Sequence, residues 1–122
     1  MGSHLERAQV LYGMNRFDQA GEELLLDLAS DPDNASAHAL LAHVYSHQDK
    51  YPEALQEARA AVHLAPDEAW VHHALGTIMW KCERFDEALT AAQEAVRLSP
   101  DEADNHALAA GIHLDARRWP QA

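Results

Sequence analysis

Ser30-Asp31-Pro32-Asp33-Asn34, Ala65-Pro66-Asp67-Glu68 and Ser99-Pro100-Asp101-Glu102 are versions of one phrase, and their prolines, 32, 66 and 100, are spaced 34 residues apart. A fixed period of this size marks a stack of supersecondary units, each burying its apolar face against the next. The phrase also predicts where units begin. Proline blocks backward extension of a helix. Asp33, Asp67 and Asp101 have the side-chain chemistry of helix N-caps and suit the positive end of the helix dipole.

Apolar spacing between the phrases is helical. In the second unit, Leu41, Val44 and Tyr45 predict a helix over 35–48. Asp49-Lys50-Tyr51-Pro52 predicts a turn. Ala54, Leu55, Ala58, Ala61 and Val62 predict a partner helix over 53–64. The third unit repeats this over 69–82 and 86–98, with a turn at Glu83-Arg84-Phe85. The first gives helices near 3–14 and 18–29, and the last offers one helix near 103–116 and a turn at Arg118-Trp119-Pro120. Superposed, the units share small residues at position 20 (Ala20, Ala54, Ala88, Ala122) and an aromatic at position 17 (Phe17, Tyr51, Phe85, Trp119). Position 8 is small throughout (Ala8, Ala42, Gly76, Ala110), and position 28 is Leu28, Val62 and Val96. Small residues permit close helix approach, and the aromatic fills the wedge at the turn.

These residues resemble a tetratricopeptide repeat array, the helix–turn–helix repeat of 34 residues. The third unit carries the signature best, with Leu75, Gly76, Phe85, Ala88, Ala92, Ala95 and Pro100. The second follows with Leu41, Ala42, Tyr45, Tyr51, Ala54, Ala58, Ala61 and Pro66. The first departs from it at Arg7 and Asp27. The resemblance implies an all-α fold of about seven helices, antiparallel pairs stacked as a right-handed solenoid. It predicts one domain over 1–122, with repeats 1–34, 35–68 and 69–102 and a half repeat 103–122. Met1-Gly2-Ser3-His4 reads as the remnant of an expression vector.

The resemblance further implies that first helices line a concave groove with positions 2, 5, 9, 12 and 13. Here these are Leu5, Gln9 and Tyr12; Ser36, Ala39, His43, Ser46 and His47; Trp70, His73, Thr77, Trp80 and Lys81; and Asp104, Ala107, Gly111 and Leu114. Partner contact is expected at Gln9, Tyr12, Ala39, His43, Ser46, His47, Trp70, His73, Thr77, Trp80 and Lys81. Trp70 and Trp80 fall about 80° apart on the helical wheel and border one broad face. The subclass that grips chaperone tails uses a carboxylate clamp of Lys, Arg and Asn. His43, Trp70, His73, Ala39 and Ala74 stand at those positions, so no such clamp is expected.

Charge narrows the partner. Nine Lys plus Arg face 20 Asp plus Glu, a formal charge of −11. Nucleic-acid binding rests on cations that displace counterions, so nucleic acid is not an expected partner, and a neutral or basic protein segment is. No run has the length and apolarity of a membrane span or of a signal-peptide core. The single cysteine, Cys82, fits a reducing, cytoplasmic compartment.

Nine histidines invite a metal reading. His43 and His47 are spaced i,i+4, but a structural zinc site needs further ligands that the sequence does not supply. His38, His72 and His106 recur with the period and read as buried or half-buried packing positions, joined by His4. No phosphate loop and no nucleophile–base motif is present, so neither cofactor nor catalysis is expected.

Two functions follow: a non-catalytic scaffold that binds a partner's peptide or helix in the groove, or a self-associating structural module. The second rests on the helix 103–116, whose unpaired face is expected to carry Leu108, Ala109, Ala110 and Ile112. The chain ends inside a repeat, which reads as a fragment of a longer array or an end covered by another copy.

Overall fold

The chain reverses direction at the residues that recur every 34 positions. In the computed structural model, which describes residues 4–118, seven helices follow one another: α1 (His4–Gly13), α2 (Phe17–Ser30), α3 (Ala35–His47), α4 (Tyr51–Leu64), α5 (Ala69–Lys81), α6 (Phe85–Leu98) and α7 (Ala103–Arg118). No strand occurs among the described residues. The expected fold class, an all-α helical-repeat solenoid, is the one observed. Trp119, Pro120 and Ala122 of the last unit, and residues 1–3, lie outside the described residues.

Two kinds of turn alternate. Inside a repeat, Asn15, Asp49 and Glu83 each adopt φ 61°, the left-handed conformation that ends a helix. The next N–H reaches back five residues, Arg16 to Leu11 O at 2.8 Å, Lys50 to Tyr45 O at 2.8 Å and Arg84 to Met79 O at 3.0 Å. The second helix starts immediately afterwards. Tyr51 and Pro52, expected in the turn, are already helical, because proline suits the first helical turn, where its missing N–H is no loss.

Between repeats, the proline phrase closes a β-turn. The N–H groups of Asn34, Glu68 and Glu102 donate to the carbonyls of Asp31, Ala65 and Ser99 at 3.2, 3.1 and 3.2 Å. Pro stands second and Asp third in each turn, a placement their backbone preferences favour. The expectation that Asp33, Asp67 and Asp101 cap helices is therefore corrected by one residue. Asn34 is the cap of α3, its side chain accepting from the Ala37 N–H at 3.2 Å, while Glu68 precedes α5 without a side-chain cap bond.

The periodic histidines clasp these turns. His38, His72 and His106 each donate Nε2–H to the carbonyl of the proline six residues earlier, at 2.8, 2.7 and 2.7 Å. A carbonyl only accepts, so Nε2 carries a proton in all three. His38 and His72 are half-buried, as expected, but His106 is exposed. The Nδ1 atoms of His4 and His38 pair with Glu23 and Glu57 at 2.8 and 2.7 Å. The irregular Asp27 of the first repeat also has a purpose, accepting from the Asn34 side chain at 2.8 Å where Ala61 and Ala95 stand buried in later repeats.

The core runs the length of the stack. Leu24, Leu41 and Val44 anchor its first part, and Ile78, Phe85, Leu108 and Ile112 its second. Each fully buried Leu or Ile contributes about 1.5–3 kcal/mol relative to exposure. Gly76 lies where α5 meets α6 and α7, and a Cβ there would stand 3.2 Å from Leu108 and 3.3 Å from the Ala88 carbonyl. Leu108 and Ile112 are 6% and 0% exposed, facing back into this core. They do not form the unpaired face of α7, which instead exposes Ala103, Ala107, Ala110 and Leu114. The register explains this: Ile112 repeats the position of Val44 and Ile78, both 0% exposed.

Candidate functional site

The odd-numbered helices approach one another in series, α1 to α3, α3 to α5 and α5 to α7, whereas the backbones of α2, α4 and α6 stay apart. A stack whose first helices converge and whose second helices splay curves toward the first, so α1, α3, α5 and α7 line its concave face.

Near α1 and α3 this face carries an aromatic cluster. The Tyr12 ring lies edge-on to Phe17 at 5.6 Å and to His47 at 5.4 Å, and His47 stacks on Phe17 at 4.5 Å with 3° between planes. A hydrogen bond of 3.0 Å joins Tyr12 Oη to His47 Nε2. His43 lies 6.4 Å from the Tyr12 ring. Burial, reinforced by the neighbouring His73, Lys81 and His47, lowers its pKa to about 4. His47 is lowered too, by burial and then by Lys81. Burial raises the Tyr12 hydroxyl. At neutral pH the middle of the groove is therefore uncharged imidazole and phenol beside the single ammonium of Lys81. Acidity of the whole chain does not extend there.

At the α5–α7 end the two tryptophans part company. Trp80 lays its ring over Gly111 and donates its indole N–H to Asp115 at 2.6 Å. It serves the contact between neighbouring repeats. Trp70 is 41% exposed, its indole N–H held by Glu68 at 3.1 Å. Tyr12 with His47 and Trp80 with Asp115 are the same device, position 12 of one repeat bonding position 13 of the next. At the middle step position 12 is Ser46, whose Oγ is sealed without a partner.

Of the residues expected to meet a partner, Gln9, His47, Trp70 and Lys81 are exposed, and Tyr12, His43, His73, Thr77 and Trp80 are half-buried. Ala39 and Ser46 are 7% and 3% exposed, so they set the α3–α5 approach from beneath the surface. Sequence reasoning missed Phe17, which backs His47, and Asn105, a buried polar residue. The register holds a signal for Asn105, because Ala37 and Val71 fill the same position. Among the described residues no group of three His, Cys, Asp or Glu converges as metal ligands, and no helix is long and apolar enough to cross a membrane. Burial raises the pKa of the half-buried Cys82 thiol.

Comparison with known proteins agrees with this geometry. None of the curated proteins searched matches the chain. Among solved structures, the first TPR domain of human RPAP3 superposes with a TM-score of 0.89 at 16% identity, covering 94% of this chain and 91% of that one. The second TPR domain of human RPAP3, solved with the HSP70 peptide SGPTIEEVD, gives 0.82 at 22% identity, covering 91% and 92%. The Sgt2 TPR domain from Aspergillus fumigatus gives 0.88 at 14%, covering 98% and 82%. At these identities the likeness is one of fold. Two family profiles, both described as tetratricopeptide repeat, match residues 5–69 and 69–102. The chain belongs to the tetratricopeptide repeat family.

Proposed function

We propose that this chain is a non-catalytic interaction scaffold whose concave face binds a peptide or helix of a partner protein. The observation that supports this reading is that Gln9, His47, Trp70 and Lys81 are exposed and Tyr12, His43, His73 and Thr77 half-buried on α1, α3 and α5, which pack against one another in series. Solved relatives in fold bind peptides, among them the first TPR of Spaghetti (RPAP3), bound to the HSP90 peptide SRMEEVD. The carboxylate clamp is absent from this sequence, so the partner here is a segment of neutral or basic character. The free Cys82 thiol supports a reducing, cytoplasmic setting.

The test is to select peptides on the immobilised protein and map them by amide chemical shifts. Perturbations should follow α1, α3 and α5, and His73→Ala should weaken binding while leaving the helical signal intact. Perturbations confined to α2, α4 and α6 would refute the groove.

A second reading, a self-associating module, is favoured by the 60% exposure of Leu114 beside Ala107 and Ala110 on α7. It predicts a mass that rises with concentration in light scattering and falls back in Leu114→Glu. A monomer at every concentration eliminates it.

A further inference from the structure

Where the N-terminal ends of α5 and α7 meet the concave face, a cleft of about 270 Å³ is lined by Glu68, Trp70, His73, Glu102, Asp104 and Asn105. Its polar lining consists mainly of hydrogen-bond acceptors. One Glu68 oxygen holds the Trp70 indole, which leaves the other free. The Glu102 and Asp104 carboxylates have no ion pair or side-chain hydrogen bond among the described residues.

Asn105 is a second observation at the cleft, independent of the carboxylates. It is 4% exposed and donates its amide N–H to the Ala95 carbonyl at 3.3 Å, while no donor pairs with its Oδ1 among the described residues. That oxygen keeps some accessible surface, because Ser46 Oγ is the one sealed, unpartnered side-chain polar atom among the described residues. Asn105 is one of the residues that line the cleft. Equivalent positions in earlier repeats are Ala37 and Val71, both 0% exposed, so an amide here replaces an apolar side chain. With no protein donor on it, this oxygen is available to accept from a ligand that displaces water.

We propose that this cleft receives the guanidinium of an arginine side chain from the partner segment. The proposal rests on the groove reading above, since Trp70, His73 and Asp104 occupy concave positions. A guanidinium is planar and stacks on the exposed Trp70 ring, and it presents five N–H donors to converging acceptors. An ammonium offers only three donors and no plane. The chain's charge of −11 favours a cation's approach, and the carboxylates at this end of the groove localise it.

The probe is N-acetyl-arginine methylamide, titrated into the ¹⁵N-labelled protein at constant ionic strength. The Trp70 indole N–H and the Asn105 side-chain amide are the reporters. Both should shift saturably, and Glu102→Gln/Asp104→Asn should weaken binding about tenfold, as expected when a charge-assisted pair is lost. The citrulline analogue, equal in shape but neutral, should give no saturable shift, and the lysine analogue should bind at least about fivefold more weakly because it lacks the stacking plane. Equal binding of the citrulline or lysine analogue, or no saturable arginine shift, overturns the proposal. If the arginine probe fails while selected peptides still map to α1, α3 and α5, the cleft assignment falls and the groove stands. Loss of peptide mapping with the arginine shifts intact refutes the groove alone.

Discussion

Replacing Gly111 by alanine sets two effects of known size against each other. Gly111 lies inside α7, where alanine favours the helix by about 1 kcal/mol. The added Cβ, however, would stand 2.5 Å from Trp80 Cη2, 3.0 Å from Cζ2 and 3.3 Å from Cζ3. An indole cannot flex within its ring, so it must tilt away from α7. Tilting breaks the 2.6 Å bond to Asp115. A hydrogen bond to a charged acceptor contributes about 1.5–3 kcal/mol, toward the lower end where the donor is half-exposed. Displaced packing costs about 1 kcal/mol more. The net expectation for Gly111→Ala is destabilisation by about 1–2 kcal/mol, or a fall of about 5 °C in Tm for a domain of this size. Urea unfolding followed by far-ultraviolet circular dichroism measures it, and the Trp80 indole N–H resonance reports the bond. In a Trp80→Leu background the same substitution should lose most of its cost, which a double-mutant cycle reads directly. A Gly111→Ala protein that gains the full propensity term and keeps its indole bond would refute the account of this contact.

Three further outcomes are expected. His43 is held neutral down to about pH 4 in the folded chain but protonates near 6.5 when unfolded. The unfolded state therefore binds the extra proton, and stability falls by up to about 3 kcal/mol as pH drops through that window; His43→Gln should flatten the slope, and identical pH profiles would show that His43 is not responsible. Glu83, at φ 61°, pays for a left-handed backbone, so Glu83→Gly should stabilise by about 0.5–1 kcal/mol in urea titrations, and a loss would contradict the turn geometry. Asn34→Ala removes both the cap bond to Ala37 and the bond to Asp27, and should lower stability by about 1–2 kcal/mol, whereas an unchanged urea midpoint would argue against the cap.

The arrangement of helices was legible because a repeat is read many times over. Three copies of each position supply a consensus that one helix cannot, and Ala20, Ala54 and Ala88 are all 0% exposed as their recurrence implies. Cap positions were harder. Both Asp33 and Asn34 have capping chemistry, and only the β-turn from Asp31 to Asn34 decides between them. The orientation of α7 differs from the expectation because Ile112 holds position 10, where Val44 and Ile78 are likewise 0% exposed against the preceding repeat. The candidate groove was partly legible. Register places Trp70 and Trp80 on the same helix, but not that Gly111 leaves room for one ring while the other stays in solvent. Such pairings depend on which residue happens to stand opposite, and a single helix does not carry that information.

Two of the bonds that tie one repeat to the next, Tyr12 to His47 and Trp80 to Asp115, each join residues 35 apart in sequence, and the others span less. Among the described residues, no helix backbone approaches one further along than the next but one. Chain closure among them thus stays on the scale of about one repeat. Because the entropy of closing a loop grows with its length, each added repeat meets the same modest barrier as the last. Contacts this local favour rapid folding, and allow structure to start at any repeat and spread to its neighbours in either direction.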